Sequence, residues 1–286
     1  MGAAMASHLV GVEGGLSVCD VSGAAVEPLI EAGATRGITP AATAAGRDLV
    51  SIMVLDDAQV IDVISGAEGI LTATPLPSII AIHSTISDAT AIAMAELARP
   101  LGVAILDAPV SGGFMGADAG SLATMVGGTD EAFAAARPVF AHWAELILHF
   151  GEVGSGTRAK IARNLLHFIS FTAAAEAQRL AEASGLNLRR LARVVRHTDA
   201  ITGGAGSIML RDTTAPMEPD DDWYEVLTHV RILGEKDLSL ALALAEQLGV
   251  ELPLGQVALE CFGPGLGLSA SGSGPERLGP PSEDTP

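Results

Sequence analysis

The sequence predicts an α/β domain with a doubly wound parallel sheet, followed by an all-helical domain. Two observations support this fold class. Short apolar segments alternate with segments of helical spacing over residues 1–151, whereas only helical spacing occurs over residues 152–262. A proline-free segment at 155–185 is long enough to join the two domains as one helix. A chain of 286 residues also suits two ordinary domains.

Four apolar segments are predicted to be strands, because each is short and rich in Val, Ile or Leu. They are LSVCD (16–20), DLVSIMV (48–54), IIAIH (79–83) and VAILD (103–107). The segments between them, at 23–33, 56–66 and 87–102, have apolar residues at helical spacing. Strands separated by helices indicate parallel pairing, and right-handed crossovers place those helices on both faces of the sheet.

The second domain is predicted to contain helices at 155–185, 187–199 and 223–249. Gly185 follows the first of these helices, and glycine is a typical residue just past a helix end. Residues 263–286 are mostly Gly, Pro and Ser. Such a segment has little apolar surface to bury, so it is predicted to be a disordered tail.

The net charge of the chain argues against some classes of binding partner. Its formal net charge is −18, from 34 acidic and 16 basic residues. This argues against binding to nucleic acid or to an anionic membrane, since both require clustered Lys and Arg. A small anionic substrate is compatible, because a few local cations and backbone N–H groups are enough to bind it.

Hydropathy and cysteine spacing predict the cellular location of the protein and whether it binds a metal. No apolar run approaches 18 residues and no basic segment opens the chain, so we expect neither a transmembrane helix nor a signal peptide. Cys19 and Cys261 match no metal-ligand spacing. We therefore expect a cytoplasmic protein with reduced cysteines and no metal site.

A glycine-rich segment, DAPVSGGFMGADAGSLATMVGG, spans residues 107–128. Its middle, Ser111 to Gly113, lies just past a predicted strand. Glycine allows positive φ and close approach of a ligand, and successive N–H groups there can bind an anion. The residues alone fit a tight strand–loop–strand connection equally well.

The usual dinucleotide fingerprint, GxGxxG between the first strand and the first helix, does not occur in this chain. The opening MGAAMASHLV matches only the end of such a motif and its helix, with Gly2 as its glycine. Asp20 ends the next strand, 18 residues after Gly2. That is close to the spacing of about 20 residues at which an acid binds the adenosine ribose. Asp20 fits a turn after the strand as well.

Four segments together carry a resemblance to a known family. They are MGAAMASHL (1–9), DAPVSGG with MVGG (107–128), GSGTRAKIARN (154–164) and KDLSLA (236–241). In this order they resemble GLGxMGxxMAxxL, DAPVSGG–MVGG, GxGxxxKxxNN and KDLxLA of the β-hydroxyacid dehydrogenases. That family includes 3-hydroxyisobutyrate dehydrogenase and tartronate semialdehyde reductase. The resemblance covers about residues 1–255 and implies a Rossmann-like domain followed by a 6-phosphogluconate dehydrogenase-like helical domain.

The chain departs from the family pattern in two places. The first strand and the first two glycines of the dinucleotide loop are absent from the sequence, and Arg163 replaces the first Asn of the lysine motif. The family's first strand lies in the centre of the sheet, so its two neighbours are expected to lack ladder partners. We expect the chain as numbered to bind NAD poorly and to be less stable than a chain extended upstream.

The resemblance implies roles for five residues at the substrate. It makes Lys160 the acid/base of alcohol oxidation and Asn164, four residues later on the same helix face, a substrate ligand. It assigns the substrate carboxylate to Ser111, Gly112 and Gly113. Without the family pattern, an exposed polar helix face would be the more common interpretation of Lys160.

The resemblance also implies the cofactor contacts, with NAD as cofactor and NADP as a second option. Gly2 and Asp20 would contact the dinucleotide at the first helix and at the ribose. Thr85, in HSTIS, would lie beside the nicotinamide, although this segment also suits a helix N-cap. Lys236 would lie close to the cofactor, although alone it would be an ordinary surface lysine.

The function implied is hydride transfer between nicotinamide and a small anionic hydroxy acid or semialdehyde, similar to 3-hydroxyisobutyrate. The resemblance also implies a homodimer or homotetramer. Two alternatives stay open. One is a non-catalytic relic that serves as an interaction subunit, and the other is an imine reductase. Imine reductases typically replace the lysine, so Lys160 counts against the second alternative.

Overall fold

The computed structural model describes residues 1–268, and the chain divides into two units. The first is Met1–Leu165 and the second begins at Leu166. The sequence predicted the boundary after residue 151. The structural division falls later because residues 154–160 hydrogen-bond to the end of a strand and to the following loop in the first unit.

The first unit contains eight strands and two short 3-10 helices, and eight α-helices begin within it. Strands β1 to β8 span Ser17–Val18, Thr35–Arg36, Leu49–Ile52, Ile79–Ile82, Ala104–Asp107, Val110–Ser111, Leu122–Gly127 and Ala144–Gly151. Helices α1 to α8 span Gly2–Ser7, Gly23–Glu31, Pro40–Ala44, Asp57–Ser65, Asp88–Ala98, Gly113–Asp118, Asp130–Phe140 and Ser155–Ala183. The four predicted strands and the helices between them are confirmed.

The main sheet has the order β3-β4-β5-β7-β6, with β8 also pairing β7. Strands β3, β4 and β5 are parallel, as predicted. The expectation of a wholly parallel sheet is wrong for β7, which pairs antiparallel with β5 and β6 but parallel with β8. About ten residues join β6 to β7, fewer than the dozen or more that a parallel crossover needs, and β5 runs in the same direction as β6.

Strands β1 and β2 form a separate two-stranded parallel sheet. Within residues 1–268, no backbone ladder connects this small sheet to β3. Strands β1 and β3 therefore each have a strand neighbour on one side only. The effect of this arrangement on NAD binding and stability stays a prediction.

Two apolar clusters cover the two faces of the main sheet. Alternate residues of β4 belong to different clusters, with Ile79 and Ala81 in one and Ile80 and Ile82 in the other. Successive side chains of a strand point to opposite faces, so helices pack on both sides. The first cluster includes residues of α1 and α7, and the second includes residues of α4 and α5. This is the doubly wound arrangement that the sequence predicts.

The second unit is helical among its described residues. Helices α9, α10 and α11 span Leu188–Thr202, Tyr224–Leu248 and Pro253–Gly265. The predicted tail is wrong for residues 263–268, because α11 continues to Gly265. Leu266 and Leu268 are also buried in one cluster with Met217 and Leu227. Residues 269–286 lie outside the described part of the chain. No helix within residues 1–268 is long and apolar enough to cross a membrane.

Candidate active site

Lys160 lies in the second turn of α8 and is only 8% exposed. Its Nζ donates hydrogen bonds to the Val110 carbonyl oxygen at 2.7 Å and to Ser111 Oγ at 2.8 Å. The fold thus brings together two residues of different motifs that lie 49 positions apart. An exposed polar helix face, the other interpretation of this lysine, does not fit the structure.

The environment of Lys160 favours its neutral form. Burial, together with the nearby Arg163 guanidinium, lowers the pKa of Lys160 from 10.5 to about 8. A neutral amine has two N–H groups and one lone pair. With Val110 and Ser111 accepting two hydrogens, the lone pair is left to accept a proton from a third group.

The use of lysine in this chain is itself informative. Of the 16 Lys and Arg residues in the chain, only Lys160 and Lys236 are lysines. Arginine does not lose its proton in proteins, whereas a buried lysine can. Lysine therefore occurs in this chain only at the two motif positions.

Ser111 ends β6, and the turn that follows it depends on two glycines. Gly112 and Gly113 have φ values of 132° and 63°. L-residues with side chains rarely adopt such angles, so both positions favour glycine. A Cβ at Gly112 would also lie 2.8 Å from the Leu122 side chain. The turn therefore places the Ser111 hydroxyl beside Lys160 while the chain leaves the sheet and enters α6.

Asn164 lies one turn after Lys160 and is partly buried. Its Oδ1 accepts a hydrogen bond from Arg163 Nη1 at 3.2 Å. Arg163, the residue that departs from the family pattern, is exposed, and this bond is its contact with the Asn164 amide. Lys160, Asn164 and Ser111 lie in the first unit, and the substrate role of Asn164 stays a prediction.

Two of the residues predicted to contact NAD, Gly2 and Asp20, lie at the start of the first unit. Gly2 opens α1, and a Cβ at this position would lie 3.3 Å from the Met53 Cβ. The third glycine of the dinucleotide fingerprint has this function, because it lets the first helix pack closely against a strand. Asp20 is exposed after β1, and its Oδ1 accepts a hydrogen bond from the Ser22 N–H at 2.8 Å. Asp20 thus forms the predicted turn, and the close packing at Gly2 is compatible with a dinucleotide loop, while the cofactor roles of Gly2 and Asp20 stay predictions.

The contacts of the two other predicted cofactor residues, Thr85 and Lys236, do not point to a cofactor role. Thr85 is exposed after β4, and Ser87, not Thr85, caps α5 by accepting a hydrogen bond from the Ala89 N–H. Lys236 belongs to the second unit, where its Nζ lies 2.9 Å from Asp237 Oδ1. The cofactor roles of Thr85 and Lys236 stay predictions. Within residues 1–268, no group of three His, Cys, Asp or Glu side chains could hold a metal ion.

Sequence reasoning missed the importance of Asp107, a fully buried residue at the end of β5. Its two carboxylate oxygens accept hydrogen bonds from the backbone N–H groups of Gly154 and Thr157 at 2.7 and 2.6 Å. Burial raises the pKa of this carboxyl group, and the two hydrogen bonds oppose that effect. The motif DAPVSGG contains Asp107, but no local pattern reveals partners so far along the chain.

Two family models together match nearly all of the described chain. Residues 1–151 match the NAD-binding domain of 6-phosphogluconate dehydrogenase. Residues 154–270 match the NAD-binding domain of NADP-dependent 3-hydroxyisobutyrate dehydrogenase. The two matches follow the same order as the two predicted domains.

Individual relatives agree with the family models. An uncharacterized oxidoreductase of Mycobacterium tuberculosis is 54% identical over 93% of this chain and 90% of its own length. A 3-hydroxyisobutyrate dehydrogenase of Pseudomonas aeruginosa is 35% identical over 92% of this chain and 88% of its own length. A crystal structure of an oxidoreductase from Mycobacterium avium shares 50% identity, covers 94% and 96% of the two chains and has a TM-score of 0.89. These likenesses favour an enzyme over a non-catalytic relic. The chain therefore belongs to the β-hydroxyacid dehydrogenase family and is an NAD(P)-dependent oxidoreductase.

Proposed function

We propose that this enzyme transfers a hydride between NAD and a small anionic hydroxy acid or its semialdehyde, with Lys160 as the acid/base. One observation carries the proposal: the only buried lysine among the described residues lies against Ser111 with a pKa lowered to about 8. The likeness to a 3-hydroxyisobutyrate dehydrogenase supports a substrate of similar size and charge.

The residues of the site suggest how the proton is handled. Bound NAD supplies the hydride acceptor for alcohol oxidation. Lys160 in its neutral form takes the hydroxyl proton as the alcohol carbon loses hydride, a task suited to a base that titrates near the working pH. In the reverse direction, the Lys160 ammonium returns this proton to the carbonyl oxygen.

The remaining site residues would bind and orient the substrate. The Ser111 hydroxyl and the N–H groups of Gly112 and Gly113 would donate to its carboxylate, and the Asn164 amide would donate to a second oxygen. Charge-assisted hydrogen bonds of this kind are about twice as strong as neutral ones. Such contacts place the hydroxyl group at the Lys160 Nζ.

A substrate profile tests the proposal directly. We expect NAD-dependent oxidation of at least one of 3-hydroxyisobutyrate, L-serine and D-glycerate, or reduction of tartronate semialdehyde, and we expect Lys160 to be required. Absence of turnover with all four compounds by a folded, NAD-binding protein would contradict the proposed function. Turnover of cyclic imines instead would favour the imine reductase alternative.

Replacing Ser111 by alanine should mainly raise KM. A hydrogen bond to a charged group contributes about 1.5–3 kcal/mol, so KM should rise about 10-fold to 100-fold. The turnover number should change less, because the Val110 carbonyl still holds Lys160. Ser121→Ala, an exposed serine at the start of β7, is the control. A large loss of kcat with unchanged KM would show that Ser111 acts through Lys160 instead of on the carboxylate.

The enzyme should prefer NAD to NADP. The exposed Asp20 carboxylate can accept hydrogen bonds from the ribose hydroxyls but repels a 2′-phosphate, and the next residue is Val21, which cannot pair with a phosphate. Asp20→Ser should reduce the ratio of kcat/KM for NAD to that for NADP by about 10-fold or more, the effect of about 1.4 kcal/mol. Asp48→Ser, an exposed acid before β3, should leave this ratio unchanged. A wild-type preference for NADP would contradict the role of Asp20.

We also propose a homodimer or homotetramer. Support comes from apolar side chains on α8 that are exposed in the single chain, namely Leu165, Phe168 and Phe171 at 63%, 59% and 57%. Burial of such side chains against a second copy would remove apolar surface from water. Light scattering after size exclusion measures the mass, and a monomer at micromolar concentration would contradict the proposal. Cytoplasmic localisation and the absence of nucleic-acid and membrane partners stay predictions.

A further inference from the structure

Asp107 is a buried carboxylate whose partners are backbone groups. Within residues 1–268, no Lys, Arg or His side chain forms an ion pair with it. A buried charge is costly unless hydrogen bonds compensate it. Here the compensation comes from the N–H groups of Gly154 and Thr157, at the start of α8. The first N–H groups of a helix have no partner within the helix, and its N-terminus favours negative charge.

Two motif glycines make this contact sterically feasible. A Cβ at Gly127 would collide with the Asp107 carboxylate, and a Cβ at Gly156 would collide with the Asp107 and Met125 carbonyl oxygens. Gly127 belongs to the MVGG segment and Gly156 to the GSG segment. Both glycines therefore allow the first turn of α8 to lie directly against the ends of β5 and β7.

The Asp107 contact lies close to Lys160 along both segments of the chain. Thr157 precedes Lys160 by one helical turn, and Asp107 precedes Val110 by three residues. Two attachments thus join the same pair of segments, one through Asp107 and one through the Lys160 amine. Since the first attachment fixes where α8 starts, it determines whether the Lys160 Nζ reaches Val110 and Ser111.

We propose that Asp107 is a positioning residue, which anchors the start of α8 on β5 and thereby holds Lys160 in its buried site. This inference rests on the proposed function in one respect, since it takes Lys160 as the acid/base. Among the described residues, the charged group that shifts the Lys160 pKa is Arg163 on its own helix, while Arg158 pairs with Asp88 of α5 and Asp107 binds the first amides of α8. Loss of the anchor would let the first turn of α8 fray and water reach the lysine.

The second unit offers a matched control for this arrangement. Glu176 is also buried, and its two carboxylate oxygens accept hydrogen bonds from the N–H groups of Leu254 and Gly255 at 2.9 Å each. Glu176 therefore caps the start of α11 as Asp107 caps the start of α8. A change from carboxylate to amide removes the negative charge and one of the two acceptor oxygens in both cases, but only α8 carries Lys160 next to the capped turn.

The titration of Lys160 provides the test and needs neither substrate nor cofactor. In the full chain labelled with 13C-lysine, NMR should show two Cε signals, and Lys236→Arg identifies the one from Lys160. Lys160 should titrate near 8 in the wild type. In Asp107→Asn its midpoint should rise by about one pH unit or more, as burial is lost. Glu176→Gln should leave the Lys160 midpoint unchanged, with Lys236 as internal reference.

The titration tests the role of Asp107 independently of the proposed function, because it does not depend on substrate turnover. A folded Asp107→Asn protein with an unchanged Lys160 midpoint would overturn the inference, whatever the substrate profile shows. If that variant does not fold, hydrogen exchange of the wild type decides the matter. The Gly154 and Thr157 amides should then exchange as slowly as amides of β5. Exchange as fast as at a free helix N-terminus would show that Asp107 does not anchor α8.

Discussion

Lys160→Ala should lower kcat for hydroxy-acid oxidation by about 10²–10⁴-fold, the usual contribution of a general acid–base group. The dissociation constant for NAD should change little, because the predicted cofactor contacts Gly2 and Asp20 lie on other elements. Steady-state kinetics and calorimetric titration, on protein that is first shown to bind NAD, measure the two quantities. A substituted protein with near-normal turnover would refute the mechanism and leave the family assignment standing.

The pH dependence of the rate should follow the same lysine. Oxidation needs the neutral amine, so the rate should rise with pH and level off above the lowered pKa of about 8. Lys160→Ala should lack this limb. Lys160→Arg should not restore activity, because the guanidinium keeps its proton and cannot accept another. An unchanged pH limb in either variant would assign the titration to a different group.

The sequence predicts the main sheet and the position of Lys160 for separate reasons. Apolar runs bounded by turn residues are a local property, so β3, β4 and β5 could be located from them. The burial of Lys160 is not local, because a lysine on a helix is usually exposed. Only the motif indicated otherwise, and the cause is visible in three dimensions as the contacts with Val110 and Ser111.

Other features could not be predicted because they depend on partners far along the chain. The antiparallel course of β7 follows from its register with β5 and β6, which apolar alternation does not encode. The role of Asp107 depends on amides 47 and 50 residues later. The predicted tail failed at residues 263–268 because two leucines among the glycines are enough to pack into a cluster.

His83 should make the protein sensitive to acid, and its surroundings explain why. The ring is buried at the end of β4, within 5.6 Å of the rings of Phe140 and Trp143. Its Nδ1 lies 2.7 Å from the Ala108 carbonyl oxygen and its Nε2 lies 3.1 Å from Ser51 Oγ. A carbonyl only accepts, so Nδ1–H donates to Ala108 and Nε2 accepts from the Ser51 hydroxyl. Burial of this neutral ring lowers the pKa of His83 from 6.5 to about 4.

The expected loss of stability follows from the direction of this shift. Between pH 6.5 and about 4, unfolded chains bind a proton at His83 and folded chains do not. Stability from this residue is therefore complete above pH 6.5 and falls as pH decreases through that window. At 1.36 kcal/mol per pH unit, the free energy of unfolding should drop by about 3 kcal/mol through His83. Urea unfolding at a series of pH values between 7 and 4 measures the drop.

Variants separate this histidine from the other acid-sensitive groups. His83→Gln should be less stable at pH 7, because an amide cannot reproduce both hydrogen bonds and the ring contacts. It should lose less stability than the wild type between pH 6.5 and 4, since no proton is taken up at this site on unfolding. His142→Gln, which replaces an exposed histidine, should keep the wild-type pH dependence. Equal slopes in all three proteins would show that His83 titrates in the folded state near its ordinary pKa.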